Sequence, residues 1–235
     1  MKKFHYIFIV ALILLTYSCK RDLTSEGVSK VTNYVTFNLT AGPTVTFPKG
    51  TTYVDPGYKG TEGTTDVTSK IKVTGTVDGN TVGLYTLQYS AVNADGFSSS
   101  TERTVIIYDP AAPETDLTGD YLSDVSRAKP SRSFSGLKVS IQKLAPGFFF
   151  VSDFLGGFYD QGSNYNYGPA YAMSGYMQLN ADNTLTLVSS HDAGFGDSLD
   201  DLTNGIYDPA TQGLTWHAFY VGGTYDFTVT LKKVQ

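Results

Sequence analysis

The 235-residue chain carries 17 Lys and Arg against 22 Asp and Glu, a net charge of −5, with its basic residues scattered along the sequence. That balance excludes a nucleic-acid binder, whose phosphate contacts need clustered Lys and Arg. A single cysteine excludes an internal disulfide. Abundant Gly, Thr, Tyr and Phe, without long Ala/Leu/Glu/Lys helical patterns, favour an all-β chain.

The chain opens with Lys2 and Lys3, an apolar run from Phe4 to Leu15, and Leu15-Thr16-Tyr17-Ser18-Cys19. A positive start followed by a short hydrophobic run is the physical recipe for export. The run is shorter than the roughly 20 apolar residues of a spanning helix, so cleavage is expected. The segment resembles the lipobox of bacterial lipoproteins, in the looser form of the Bacteroidetes, with the leucine four residues before the cysteine. The resemblance implies removal of residues 1–18, lipidation of Cys19 and a membrane partner reached through the lipid anchor. The expected site is the outer membrane, with cell-surface display preferred. An ordinary secretory peptide with an incidental cysteine is the plainer alternative. Two or more acyl chains suffice for stable anchoring, each buried methylene contributing about 0.8 kcal/mol. Loss of the leader removes two lysines and no acid, leaving 15 basic against 22 acidic residues and a net charge of −7.

Residues 19–30, polar and without a hydrophobic face, read as a flexible tether. Strand signals follow at Tyr34–Leu39, Thr44–Phe47, Ile71–Val77, Gly83–Val92 and Thr101–Tyr108, separated by Pro-, Gly-, Asn- and Asp-rich turns. Several short strands at this spacing predict a β-sandwich over 31–109. Tyr53-Val54-Asp55-Pro56-Gly57-Tyr58, Gly83-Leu84-Tyr85-Thr86-Leu87-Gln88-Tyr89 and Asn93-Ala94-Asp95-Gly96 resemble the immunoglobulin-like modules of Bacteroidetes surface proteins, including those of the domain-of-unknown-function type. The resemblance implies a fold and no chemistry. Asp55 and Asp95 are read as turn residues in preference to calcium ligands.

Two prolines mark a linker at 110–116. Beyond it, over 117–235, strand signals fall at Gly119–Val125, Leu137–Leu144, Phe148–Asp153, Tyr171–Leu179, Thr184–Ser189, Gly205–Tyr207, Leu214–Tyr220 and Tyr225–Leu231. Short turns joining neighbours predict an antiparallel β-meander that is barrel-like or strongly curved. The expected fold class is thus all-β, an N-terminal immunoglobulin-like β-sandwich followed by this second domain. The arrangement resembles the carboxy-terminal β-domain of uncharacterised Bacteroidetes surface lipoproteins.

Two stretches hold candidate sites. Phe154 to Gly168 mixes rings, amides and glycines; rings offer faces to sugar C–H groups, and Asn, Gln and Asp bond sugar hydroxyls. From it Phe158, Tyr159, Asp160, Asn164, Tyr165, Asn166 and Tyr167 are candidate ligand-binding residues, with Trp216 added from a later strand. Trp216 and His217 alternate in side, and the tryptophan is favoured to face inward. Packing in the sheet is the competing reading for at least half of these rings. The second stretch, His191 to Asp201, is acidic and glycine-rich; its spacing does not match an EF-hand, so solvated turns are favoured and no metal or cofactor is assigned.

No G-x-S-x-G elbow is present, and glutamate is absent after Glu114. No catalytic residue is assigned. A glycosidase, which needs two carboxylates, stays open through Asp153, Asp160, Asp192, Asp197, Asp200 and Asp201. The favoured expectation is a non-catalytic surface protein that binds a glycan or other extracellular ligand through its second domain. The alternative is a structural or adhesive protein with a surface protein partner.

Overall fold

The computed structural model describes residues 31–234. The expected signal segment, Cys19 and the tether to residue 30 lie outside the described residues. No described helix is long and apolar enough to cross a membrane, and residues from Tyr34 onward form one compact unit.

Seven strands build the first half: β1 (Val35–Leu39), β2 (Thr44–Pro48), β3 (Tyr58–Glu62), β4 (Thr65–Asp66), β5 (Lys72–Thr74), β6 (Gly83–Val92) and β7 (Ser98–Tyr108). They form a three-stranded sheet, β1-β3-β4, and a four-stranded sheet, β2-β7-β6-β5, with β2 parallel to β7. Val35, Val45, Ile71, Leu87, Tyr89, Val105 and Ile107 fill the space between them. Strand β3 carries no apolar alternation, because its one buried position is Gly60, which lies against the Ile71 side chain. The expected strand Ile71–Val77 contracts to the three residues of β5.

A buried Arg103 ties this half together. Its guanidinium pairs with Asp55 and donates to the Thr40 and Gly57 carbonyls at 2.7 and 3.1 Å. Asp55 also accepts from the Tyr89 hydroxyl and, at 2.7 Å, from the Gly57 N–H. Burial, followed by Asp55, pushes the Tyr89 hydroxyl well above the usual phenol range. Asp55 is thus a turn residue in an ion-paired network.

The second half is one eight-stranded antiparallel sheet: β8 (Gly119–Arg127), β9 (Arg132–Ala145), β10 (Phe148–Val151), β11 (Ser174–Leu179), β12 (Leu185–His191), β13 (Asp201–Asp208), β14 (Gly213–Tyr220) and β15 (Tyr225–Lys233). Its order, β12-β11-β10-β9-β8-β15-β14-β13, makes sequence neighbours spatial neighbours and brings β15 back onto β8. The two edges meet at one end only, through the Thr184–Ile206 bridge and the Tyr207 N–H on the Asn183 carbonyl at 2.9 Å. The all-β expectation and the meander are both realised, as a nearly closed barrel.

Alternation decides which side chains enter that barrel. Tyr121, Val125, Val139, Ile141, Phe149, Met177, Leu179, Leu214, Trp216, Phe227, Val229 and Leu231 all point into its core. Two stretches break the alternation by burying consecutive residues. Val105-Ile106-Ile107 and Phe148-Phe149 each have both faces covered, because Ile106 and Phe148 meet with Ala145 in a second apolar cluster where the four-stranded sheet packs on the barrel wall. The connector lies close to the barrel as well: a Cβ built on Gly147 (φ +60) would stand 2.3 Å from the Ala112 Cβ. Lys49 pairs with Asp109 at 2.7 Å beside it.

Candidate functional site

Strand directions place the connections 128–131, 152–173, 192–200 and 221–224 at the barrel end opposite the connector's entry. The 152–173 segment is long for a connection inside a sheet, and it does not stay outside. Strand β10 has four residues only, after which Asp153 turns the chain into the barrel. Its Oδ1 accepts from the N–H groups of Leu155 (2.7 Å) and Met173 (3.2 Å), and its Oδ2 from that of Gly157 (3.0 Å). Phe154, Leu155 and Phe158 are then fully buried in the barrel core. At Gly156 (φ +65) a Cβ would lie 2.5 Å from the Ser123 Oγ, so the segment passes close against β8. Gln161 fastens its far side, its amide exchanging two 2.9 Å bonds with the Lys138 backbone in place of a strand partner.

Burial, reinforced by the neighbouring Asp160 carboxylate, raises the Asp153 carboxyl well above the usual carboxylate range, against the opposing pull of the Leu155 and Gly157 N–H groups. Asp160 accepts from the Gln161 amide at 2.9 Å and is half-buried.

Beyond the plug the chain returns to the surface as an aromatic cluster drawn from two loops. Tyr165 and Tyr167 are 5.5 Å apart between ring centroids, Tyr167 and Tyr171 5.1 Å, and Tyr171 and Phe195 4.8 Å. Phe195 also touches Tyr159 at 5.3 Å. Phe195 belongs to the 192–200 loop, which the Gly194 N–H fastens to the Ala170 carbonyl at 2.7 Å. Asp192 shapes that loop from within, accepting from Gly194 (2.7 Å) and Phe195 (2.9 Å). Tyr167 is 50% exposed and Phe195 45%. These are large apolar surfaces held open to solvent by a rigid base.

The base is cationic. Arg127, the last residue of β8, points inward between the Phe158 and Tyr225 rings, 5.0 and 5.1 Å from their centroids. It donates to the hydroxyl oxygens of Tyr159 and Tyr165, each at 3.2 Å, and to the Pro130 carbonyl at 3.1 Å. Burial pushes the Tyr159 hydroxyl upward while Arg127 pulls it back. On the other side of the end, burial and the carboxylates of Asp197 and Asp192 push the Tyr220 hydroxyl up to about 12.

The structure therefore divides the expected ligand set. Phe158, Tyr159 and Trp216 are placed in the core and not on a binding surface; Trp216 donates its indole N–H to the Phe154 carbonyl at 2.8 Å. Asp160 faces Asp153 and Gln161. Asn164, Asn166 and Tyr167 are exposed and Tyr165 is half-buried. Sequence reading missed Tyr171, Phe195, Arg127 and Arg132. A signal existed for Arg127, which follows Tyr121, Ser123 and Val125 on the inward set of β8, where a charge is out of place. Among the described residues no group of three His, Cys, Asp or Glu is set to hold a metal ion. Of the six aspartates considered for glycoside cleavage, Asp153 and Asp192 are buried on backbone donors, and Asp200 accepts from the Gly223 N–H at 2.9 Å.

The model described as the Ig-like domain of bacterial surface proteins matches residues 37–107, and the model of a family's C-terminal domain matches residues 110–233. The lipoprotein BT2262 from Bacteroides thetaiotaomicron, known from a crystal structure, is 38% identical over 85% of this chain and 100% of its own. This chain belongs to the same lipoprotein family. The identity and coverage establish that membership, the TM-score being 0.46. No curated protein matches this lipoprotein. The first family match spans the sandwich and the second the barrel, so the plug and the aromatic end both lie within the C-terminal domain of this surface lipoprotein.

Proposed function

We propose that this lipoprotein is anchored through acyl chains on Cys19 in the outer membrane, faces the cell exterior, and binds a glycan at the aromatic end of its barrel without catalysing a reaction. The observation that carries the reading is the convergence of two loops, distant in sequence, on one surface. Tyr167 and Phe195 are about half exposed there, with Tyr171 packed against both and the Asn164 and Asn166 amides on the same loop as Tyr167. Ring faces suit the apolar C–H faces of a pyranose, and the amides suit its hydroxyl pairs. Clefts of about 460 and 480 Å³ lie on the barrel wall and are lined by other residues.

The test is a glycan-array screen of the full chain in detergent micelles. Binding is expected, and Tyr167→Ala and Phe195→Ala are each expected to weaken it by about five- to tenfold, since losing one stacked ring costs on the order of 1–1.5 kcal/mol. Failure to bind any glycan removes the reading; recovery of a constant protein neighbour by cross-linking on intact cells would favour a protein partner instead. For the anchor, a palmitate analogue is expected to label the wild type and not Cys19→Ala.

A further inference from the structure

Two guanidinium groups flank one tyrosine at the aromatic end, and neither has an acid. Arg127 is 5% exposed, yet its donors end on the neutral oxygens of Tyr159, Tyr165 and Pro130. Arg132 lies over the Tyr165 ring, 5.2 Å from its centroid. Among the described residues no carboxylate bonds to either arginine. A buried charge is ordinarily paired. Because the Tyr165 oxygen already accepts from Arg127, its own proton is left for another acceptor, strengthened by the positive charge beside it.

The acids of this end stand elsewhere. Asp192, Asp197 and Asp200 belong to the 192–200 loop and each accepts from a backbone N–H. Asp160 faces Asp153 and Gln161, and Asp226 pairs with His217 at 3.2 Å. Charge is therefore divided across the surface, basic beside Tyr165 and acidic beside Phe195.

We infer that the glycan is an acidic one, its carboxylate received between the Tyr165 hydroxyl and the Arg132 guanidinium with Arg127 behind, while uncharged ring faces lie on Tyr167 and Phe195. This rests on the glycan reading above and adds the chemical class. It also sets the orientation, since the opposite placement would bring the carboxylate against Asp197 and Asp200.

The experiment titrates the full chain in micelles with uronic-acid and sialic-acid oligosaccharides and with their methyl esters, which keep the rings and lose the charge. The free acids are expected to bind roughly 10- to 100-fold more tightly than the esters, the span for hydrogen bonds to a charged group. Raising the salt concentration should narrow that ratio. Tyr165→Phe keeps the ring and removes the donor, and Arg132→Gln removes the half-buried cation; each is expected to bring acid affinity down toward that of the ester. Neither replaces the buried Arg127, although Tyr165→Phe takes one acceptor from it, so the Trp216 fluorescence unfolding transition of each variant checks that the fold is kept. Equal binding of acid and ester, or binding confined to neutral glycans, overturns the inference and leaves glycan binding standing. Absence of binding to every glycan, charged or neutral, overturns both.

Discussion

Each half of the molecule buries one arginine, and the two are finished differently. Arg103, fully enclosed in the sandwich, meets Asp55, two backbone carbonyls and the Tyr89 ring, 5.5 Å from the guanidinium. Arg127, at the barrel's open end, has comparable ring packing but no carboxylate among the described residues. Both cations are desolvated, so the difference lies in what compensates the charge. The first is an ion-paired network that ties two turns to a strand, with the Arg103 Nε alone left without a partner among its nitrogens. The second ends on the hydroxyls of the buried Tyr159 and the half-buried Tyr165 and leaves its charge without a carboxylate among the described residues.

Truncation of each arginine tests that contrast most severely. Arg103→Ala strands Asp55 among ordered donors and is expected to cost about 3 kcal/mol, the lower end of the range for breaking a buried pair because Asp55 keeps partial solvent contact. Hydrogen exchange at β6 and β7 amides reads it directly. Arg127→Gln leaves no acid behind and is expected to cost about 1–2 kcal/mol, from lost cation–π and neutral hydrogen bonds. Trp216, the chain's one tryptophan and buried in the barrel, reports that unfolding by fluorescence. Equal costs would erase the distinction between the two sites.

A smaller effect comes from Asp153, one of two buried aspartates among the described residues. Its folded-state pKa lies above the unfolded value of about 3.9, so its contribution to stability is complete below that pH and is lost as the pH rises through the folded-state value. Barrel stability is expected to decline upward from about pH 4, and denaturant titrations across pH measure the slope. Asp160→Asn should shallow the decline without removing it, because burial, the larger cause, remains. The smallest stability changes are expected at the exposed rings: Tyr167→Ala and Phe195→Ala should shift unfolding by no more than about 0.5 kcal/mol. The same two substitutions should weaken glycan binding.

Much of the architecture was legible because alternation carries it. In β15, Tyr225, Phe227, Val229 and Leu231 share one face, and all but the half-buried Tyr225 are buried in the barrel. The eight strand signals after the linker correspond to eight strands. Strand β3 was illegible for the opposite reason, its inward position being a glycine. The candidate site was half legible. Its two stretches were found, but the rings within Phe154 to Gly168 could not be sorted into core and surface, since the same aromatic composition serves both ends of a chain that dives into the barrel and re-emerges.

The order of residues alone determined the all-β class, the division into a sandwich and a meander, and the position of Cys19 behind an apolar run, because these depend on local periodicity and on which neighbours share a side. Only the tertiary structure decided that Phe158, Tyr159 and Trp216 are packing residues, that Phe195 joins Tyr167 and Tyr171, and that Arg127 has no acid beside it. Those facts depend on contacts such as Gly194 with Ala170 and Trp216 with Phe154, between segments far apart along the chain. Periodicity within a single segment contains no information about which distant segment will close over it.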